Sequence, residues 1–314
     1  MILSASAKFG VCILIGLAAL VGAEDRPGGR TEQGVRLMEP TRREVFKIIG
    51  DVELYLYVFE PEDHKATDSR PAIVFFFGGG WTGGSPQQFY PQCKYLASRG
   101  MVGISAEYRV RSRHGVTPFE CVTDGKSAIH WVRANAERLG IDPDRIAAGG
   151  GSAGGHVGAC AGVIDSLDEP DEDASVSSKP NAMVLFNPVL LMPWRDVSKM
   201  SQEQRESFME RFGGRSPREI SPYHHVTPGD PPTLVLHGEA DTTIPIRTAR
   251  MFVEAMKKAG NPCELAAYEG EGHGFFNYGR GEAFYDTMRE VDKFLVSLGY
   301  LQGSDTLEQF RNSF

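Results

Sequence analysis

Cysteine is scarce in this sequence, and its spacing is unlike that of a metal site. Four of the five cysteines lie beyond residue 23, and no two of them form the Cys-x-x-Cys pair typical of zinc ligands. We therefore predict no bound metal. A chain of 314 residues can also build its core without disulfides, so we expect most of these side chains to be buried as small apolar groups. The four cysteines are Cys93, Cys121, Cys160 and Cys263.

Basic residues are also fewer than acidic ones. The chain has 33 lysines and arginines against 41 aspartates and glutamates, which gives a net charge of −8, and the two signs are interspersed. Proteins that bind nucleic acid or an anionic membrane surface carry a basic stripe or patch. We therefore expect neither kind of partner.

No apolar run in the sequence is long enough to cross a bilayer. Residues 9–21 are almost entirely apolar, but the run is shorter than the ~20 residues that a transmembrane helix needs. Lys8 precedes the run, and the small residues Gly22 and Ala23 end it, which is the pattern of a secretory signal peptide. We predict a signal peptide over residues 1–23 and a secreted or periplasmic protein without stable membrane association after cleavage. An uncleaved anchor is the alternative.

The remaining chain alternates between strand and helix patterns and has no internal repeat. Residues 44–49 and 52–59 flank Gly50 and Asp51, which predicts an antiparallel hairpin. The later strands are apolar on both faces and therefore need helices on both sides of the sheet. This pattern predicts an α/β fold with a mostly parallel central sheet. The predicted strands are 72–77, 101–106, 145–148, 182–186, 233–236 and 264–268, and the predicted helices are 88–99, 121–139, 155–164, 248–259 and 283–298.

We assign one domain to residues 44–301. Residues 24–43 lead into it, and residues 302–314 form a C-terminal tail. An insertion at about residues 188–231, between two late strands, is long enough for a small lid or one wall of a pocket. Residues 165–179 are acidic, but their spacing is not that of an EF-hand, so we expect a solvated loop there.

The strongest motif is a G-x-S-x-G that runs from Gly150 to Gly154 and has Ser152 at its centre. It lies between a predicted strand and a predicted helix, which is the context of a nucleophile elbow. The turn lifts the serine hydroxyl clear of the sheet, and the start of the helix favours negative charge. A phosphate-binding loop is the alternative, but its glycine spacing and its lysine are absent. We therefore predict Ser152 as a nucleophile.

A serine hydroxyl needs an adjacent base to take its proton, and in this topology the acid and the histidine follow the serine in the chain. Asp241 follows the predicted strand 233–236, and His273 follows the predicted strand 264–268 with a glycine on each side. We predict His273 as the general base and Asp241 as the residue that orients it. The other candidates are Glu239 for the acid and His156, His224, His225 and His237 for the base.

An ester carbonyl under attack becomes an oxyanion, which needs two or three backbone N–H donors. Ala153 can supply one because it directly follows the nucleophile. Gly79 and Gly80 can supply the others, since they follow the predicted strand 72–77 and glycine lets the backbone approach a substrate. We predict these three amides as an oxyanion hole, with no cofactor required.

Five short motifs, in their order along the chain, resemble those of the hormone-sensitive-lipase-like esterases of the α/β-hydrolase fold. The resemblance is closest to the small secreted acetyl- and feruloyl-type carbohydrate esterases. The resemblance covers about residues 44–301. It departs from the family at Phe77, where the family usually has a histidine that braces the oxyanion loop. The matching motifs are FGGGW at 77–81, YR at 108–109, GGSAGG at 150–155, GEAD at 238–241 and GHGF at 272–275.

The resemblance implies the same three oxyanion donors and a serine esterase that acts through an acyl-enzyme on short-chain carboxylic esters. The implied substrate is a small-molecule or oligosaccharide ester that carries acetyl or related groups. A serine peptidase or lipase of the same fold is one alternative, and a non-catalytic binding module, supported only by Phe77, is another. The resemblance also suggests pocket roles for five aromatic residues, most of which composition alone would assign to the core. They are Trp81, Tyr108, Phe119, Trp194 and Phe275.

Overall fold

A computed structural model of the chain describes residues 38–194, 198 and 200–313. The predicted signal peptide, residues 1–23, and most of the lead-in, residues 24–43, lie outside the described residues. In the part of the chain that is described, no helix combines the length and the hydropathy needed to cross a membrane.

The described strands form one eight-stranded sheet. They are β1 (Arg42–Ile49), β2 (Val52–Phe59), β3 (Arg70–Phe76), β4 (Val102–Ala106), β5 (Ile141–Gly151), β6 (Ala182–Phe186), β7 (Thr233–Gly238) and β8 (Cys263–Tyr268). Their order across the sheet is β1-β2-β4-β3-β5-β6-β7-β8. β2 pairs antiparallel with both β1 and β4, whereas all pairings from β4 to β8 are parallel. The prediction of a mostly parallel sheet with an antiparallel N-terminal hairpin is confirmed.

Helices cover both faces of the sheet. The described helices are α1 (Tyr90–Ser98), α2 (Arg111–His114), α3 (Pro118–Ala134), α4 (Ala153–Val163), α5 (Gln202–Glu210), α6 (Arg247–Lys258), α7 (Glu282–Ser297) and α8 (Leu307–Arg311). Side chains of β3 alternate between two apolar clusters, with Val74 in one and Ile73 and Phe75 in the other. The first cluster contains residues of α3, α4 and α6, and the second contains residues of α1, α7 and α8. The sheet is therefore buried on both faces, as its continuous apolar strands require.

Two elements differ from the sequence prediction by three or more residues at each end. The helix predicted over residues 121–139 is α3, which begins at Pro118 because Thr117 and Glu120 form a reciprocal capping box at its N-terminus. It ends at Ala134, and Leu139 reaches the core from the turn that follows. The strand predicted over residues 145–148 is longer, because β5 starts at Ile141 and continues to Gly151.

The four described cysteines are buried free thiols, so Cys93 and Cys121 are not paired with each other. Burial raises the pKa of each thiol, which keeps it protonated and unreactive. These side chains therefore act as small apolar groups, as expected from their spacing.

The fold brings several loops to one edge of the sheet. Since β3, β5, β6, β7 and β8 are parallel, their carboxyl ends meet at the same edge, and the chain leaves them at positions 76, 151, 186, 238 and 268. The segment between β6 and β7 carries α5 and two short 3₁₀ turns, Pro217–Ile220 and Pro222–His224. All the predicted triad and oxyanion residues lie at or just beyond these strand ends.

Candidate active site

Ser152 occupies a sharp turn between β5 and α4. Its backbone angles are φ 55° and ψ −115°, a conformation that side chains other than glycine rarely adopt. The turn is close to β3, since a Cβ on Gly154 would lie 2.0 Å from the carbonyl oxygen of Phe76. The backbone N–H of Ser152 donates to Phe186 at 2.9 Å, which holds the turn against β6. Small neighbours therefore allow a strained serine at the strand end.

The structure brings the three predicted triad residues into one hydrogen-bonded line. His273 Nε2 lies 3.0 Å from Ser152 Oγ, and His273 Nδ1 lies 2.7 Å from Asp241 Oδ2. The Asp241 side chain is fully buried, whereas His273 is about one quarter exposed. A carboxylate can only accept, so Nδ1 carries the proton and the Nε2 lone pair faces the serine hydroxyl.

The carboxylate of Asp241 is held by donors on both oxygens. Oδ1 accepts from the backbone N–H groups of Thr243 at 2.8 Å and Ile244 at 2.9 Å. Oδ2 accepts from His273 and, at 2.6 Å, from Asn187 Nδ2. Burial disfavours the charged form, but hydrogen bonds from the neighbouring histidines and the Ile244 amide outweigh it and hold the pKa of Asp241 well below its usual range. Asp241 is therefore a fixed anion beside the imidazole.

Asn187 was missed by the sequence reasoning. It directly follows β6, is fully buried and has φ 40°, and its side-chain amide is aimed at Asp241. The available signal was an asparagine at the carboxyl end of a buried parallel strand, since asparagine tolerates positive φ better than most residues. Asn187 fixes the carboxylate that in turn orients His273.

The predicted oxyanion loop passes beside the nucleophile. A Cβ on Gly78 would lie 3.4 Å from Ser152 Cβ. Gly79 has φ 126°, and a Cβ there would lie 2.3 Å from the Gly83 carbonyl oxygen, so the turn requires glycine. Within the described residues the N–H groups of Gly79 and Gly80 donate no hydrogen bond. The N–H of Ala153 lies in the first turn of α4, where no intrahelical acceptor exists.

Phe77, at the position where the resembled family usually has histidine, braces this loop through an aromatic stack. Its ring lies 4.2 Å from that of Tyr108 with an interplanar angle of 16°, and Tyr108 Oη donates to the Phe77 carbonyl oxygen at 2.6 Å. Tyr108 is held in turn through Arg109, whose backbone and guanidinium donate to buried Asp124 at 2.8–3.0 Å. The loop is thus braced at position 77 without a histidine there.

Two of the five predicted pocket aromatics meet in one cluster. Trp81 lies 6.1 Å from Trp194 and 6.4 Å from Phe212 between ring centroids. Phe208 lies 6.0 Å from Trp194 and 5.1 Å from Phe212. We call these four residues the aromatic wall. Phe208 lies on α5 and Phe212 just beyond its end, and neither was singled out from the sequence.

The other three predicted pocket aromatics lie elsewhere. Tyr108 is buried against the oxyanion loop with its hydroxyl engaged, so it supports that loop instead of facing a substrate. Phe119, at the start of α3, is covered by the guanidinium of Arg215 at 3.6 Å. Phe275 follows His273 but packs against Tyr268 in the apolar cluster on the opposite face from Trp81. Burial within the core accounts for all three positions.

His156, one of the alternative candidates for the general base, hydrogen-bonds to groups other than Ser152. It lies on α4, where its Nδ1 accepts from the indole N–H of Trp81 at 3.2 Å and its Nε2 donates to the Ile220 carbonyl oxygen at 2.6 Å. Burial lowers the pKa of His156 to about 4, so the ring is neutral at pH 7. His156 therefore links the oxyanion loop to the segment between β6 and β7.

The remaining alternatives are also engaged away from the nucleophile. His224, His225 and His237 hydrogen-bond to Ser221, Arg218 and Ile244, respectively. Glu239 is partly exposed and pairs with Arg250 at 2.7 Å, so it does not compete with Asp241 for the histidine. Among the described residues, only His273 hydrogen-bonds to the side chain of Ser152.

Comparisons with known proteins identify the family of the chain. The family model described as BD-FAE matches residues 56–256, and the dienelactone hydrolase family model matches residues 212–302. Among solved structures, an esterase from the planctomycete Thermogutta terrifontis in its propionate-bound form is 50% identical, with a TM-score of 0.79. That alignment covers 85% of this chain and 98% of the esterase.

Curated relatives are also esterases. Esterase LipC of Mycobacterium tuberculosis is 34% identical over 220 residues, which cover 67% of this chain and 54% of LipC. An acetylxylan esterase of Xylanibacter ruminicola is 26% identical over 270 residues, which cover 83% of this chain and 52% of that enzyme. The chain spans about half the length of these relatives. By its family match, its fold and its relatives, the chain belongs to the BD-FAE family and has the α/β-hydrolase fold.

Proposed function

We propose that this chain hydrolyses short-chain carboxylic esters, with Ser152 as nucleophile, His273 as general base and Asp241 as the anion that orients His273. The observation that carries the proposal is the unbroken line from Ser152 Oγ through the imidazole to the Asp241 carboxylate, at 3.0 and 2.7 Å. Two unengaged glycine amides lie on the loop beside the serine. The esterase activities in the names of the relatives support the same reaction.

Acylation begins when Ser152 Oγ attacks the ester carbonyl carbon and its proton passes to His273 Nε2. The carbonyl π electrons move to oxygen, and the oxyanion accepts hydrogen bonds from the N–H groups of Gly79, Gly80 and Ala153. The carbonyl then reforms, the bond to the alcohol oxygen breaks, and His273 returns its proton to that oxygen. The alcohol leaves and an acyl-Ser152 ester remains.

Deacylation repeats these steps with water. His273 Nε2 takes a proton from water as the water oxygen attacks the acyl carbon, and the same amides hold the second oxyanion. When the bond to Oγ breaks, His273 returns the proton to Ser152 and the carboxylic acid departs. Asp241 stays ionised throughout and stabilises the imidazolium that forms in each half-reaction.

The proposed acyl group is acetyl or a similarly short chain. Trp81 directly follows Gly80 and belongs to the aromatic wall, so we propose that these large, rigid side chains limit the space for an acyl chain beside the oxyanion loop. The T. terrifontis esterase has been solved with propionate and with butyrate bound, both short acids. We further propose acetylated carbohydrate as the natural substrate, with support from the acetylxylan esterase relative.

Export through residues 1–23 is part of the same proposal, because a polysaccharide substrate lies outside the cell. The test is expression of the full chain in a bacterial host with fractionation. N-terminal sequencing of the protein from the periplasm or medium is expected to start near residue 24. Recovery of the intact N-terminus in the cytoplasm would contradict export.

The test of activity is hydrolysis of p-nitrophenyl acetate, butyrate and octanoate by the wild type, Ser152→Ala and the control Ser304→Ala, whose serine is exposed near the C-terminus. We expect rates that fall with chain length, no turnover by Ser152→Ala and unchanged turnover by the control. Acetate release from acetylated xylan then tests the carbohydrate substrate. A preference for octanoate would favour a lipase-type role, and no turnover of any ester would contradict the proposal.

A further inference from the structure

We propose that Gln88 and Asn277 are positioning residues that tie the oxyanion loop to the loop that carries His273. The proposal rests on the proposed function, because it assigns these side chains to the same catalytic centre. The two residues are 189 positions apart in the sequence, and their side-chain amides meet at 2.8 Å. We call the pair the amide bridge.

The amide bridge consists of three short hydrogen bonds in series. The backbone N–H of Gly78 donates to Gln88 Oε1 at 2.6 Å. Gln88 Nε2 donates to Asn277 Oδ1 at 2.8 Å, and Asn277 Nδ2 donates to the carbonyl oxygen of Gly274 at 2.7 Å. One end therefore holds the loop that supplies the oxyanion donors, and the other end holds the residue directly after His273.

The orientation of both amides follows from the groups at the two ends. The Gly78 N–H can only donate, so the Gln88 atom that faces it is oxygen. The Gly274 carbonyl can only accept, so the Asn277 atom that faces it is nitrogen. The central contact is then necessarily a donor facing an acceptor. The series is satisfied in this single arrangement, and a flip of either amide breaks two bonds at once.

Both ends of the bridge lie against reacting groups. A Cβ on Gly78 would lie 3.4 Å from Ser152 Cβ, and Gly79 and Gly80 follow it directly. Gly274 has φ 80° and follows the imidazole-bearing residue. The bridge therefore fixes the separation between the oxyanion donors and His273. That separation matters because both must act on one tetrahedral carbon, and a misplacement of about 1 Å can cost on the order of 10²-fold in rate.

The bridge stands on a rigid support. Gln88 lies in the 3₁₀ turn Pro86–Phe89, and the ring of Phe89 stacks on Phe75 of β3 at 4.8 Å and 7°. Phe89 also stacks on Phe276, the residue before Asn277, at 5.9 Å and 19°. Each bridge residue is therefore the direct neighbour of a ring in one aromatic stack. Neither side chain hydrogen-bonds to Ser152 or His273, so their role is positioning and not direct catalysis.

The experiment is a double-mutant cycle with Gln88→Met, Asn277→Leu and the double variant, each close in size to the native side chain. The control is Gln87→Leu, which changes the exposed neighbour of Gln88. We measure kcat and KM for p-nitrophenyl acetate, the melting temperature, and the fraction of sites that react with paraoxon. Rates are expressed per reactive site, which separates positioning from loss of folded protein.

Each single variant is expected to lower kcat by about 10- to 100-fold with KM within about 2-fold, because the groups it positions act in the transition state. The double variant is expected to be no slower than the slower single variant, because either change breaks the same series. The control is expected to match the wild type.

The proposal would be overturned if the kcat losses of the two single variants multiply in the double variant. A rise in KM alone, or an unchanged kcat per reactive site, would also overturn it. If the wild type is an active esterase and the variants are as active, the amide bridge alone is refuted. If the wild type neither turns over esters nor reacts with paraoxon, the proposed function and the bridge are refuted together.

Discussion

Replacement of Asp241 by asparagine is expected to move the imidazole proton of His273 from Nδ1 to Nε2. Both oxygens of Asp241 accept, and Oδ1 faces two backbone N–H groups that cannot rotate away. The NH₂ group of the new amide must therefore occupy the Oδ2 position, opposite His273 Nδ1 and Asn187 Nδ2. Asn187 can turn its unpartnered Oδ1 to accept from that NH₂ group. His273 then accepts at Nδ1 and carries its proton on Nε2, facing Ser152.

A histidine with its proton on Nε2 cannot take the serine proton. The expected loss in kcat for Asp241→Asn is about 10⁴-fold, the effect of this change in a Ser-His-Asp enzyme, or about 5 kcal/mol of barrier. KM is expected to change little, because the carboxylate does not contact substrate. The assay is steady-state hydrolysis of p-nitrophenyl acetate with the fold checked by melting temperature.

Glu239→Gln is the matched control, since Glu239 lies two residues before Asp241 and pairs with Arg250 at the surface. It is expected to retain wild-type kcat. A loss of less than about 10-fold in folded Asp241→Asn, or an equal loss in Glu239→Gln, would refute the assignment of the acid.

The remaining predictions concern the oxyanion loop, the buried histidine and the thiols. Gly79→Ala forces a Cβ against the Gly83 carbonyl, so kcat should fall by about 10²–10³-fold with KM nearly constant, and an unchanged kcat would contradict the loop's role. Because burial lowers the pKa of His156 from 6.5 to about 4, its contribution to the unfolding free energy is fully present above pH 6.5. About 3 kcal/mol should be lost as the pH falls to 4. Urea unfolding of His156→Gln should show a shallower pH dependence over that window, and parallel curves would argue otherwise. The four described thiols should react with Ellman's reagent only after unfolding, and labelling of any of these four in the native protein would contradict their burial.

The fold class and the placement of the three triad residues could be predicted from the sequence for a physical reason. Each residue follows a short apolar strand, and parallel strands that alternate with helices end at one edge of the sheet. Glycines mark the turns, because the backbone at Ser152 and Gly79 adopts angles that need small neighbours. Local pattern and topology therefore suffice to bring Ser152, Asp241 and His273 together.

The supporting residues could not be predicted, because their partners are set by tertiary packing. Nothing in the local sequence links Gln88 to Asn277 across 189 positions. The pocket aromatics show the same limit: Trp81 belongs to one apolar cluster and Phe275 to the other, although both neighbour predicted site residues. A motif places a residue at a strand end, but it does not determine which face of the sheet an adjacent side chain enters.

The most direct test of Ser152 as nucleophile is covalent labelling by paraoxon, which phosphorylates the T. terrifontis esterase 2. The expected result is one diethylphosphoryl group on the peptide that contains Ser152, formed in step with the loss of esterase activity. Ser152→Ala should remain unlabelled, and Asp241→Asn should react far more slowly than the wild type. Labelling at another residue, or a fully active enzyme with Ser152 modified, would contradict the proposed mechanism.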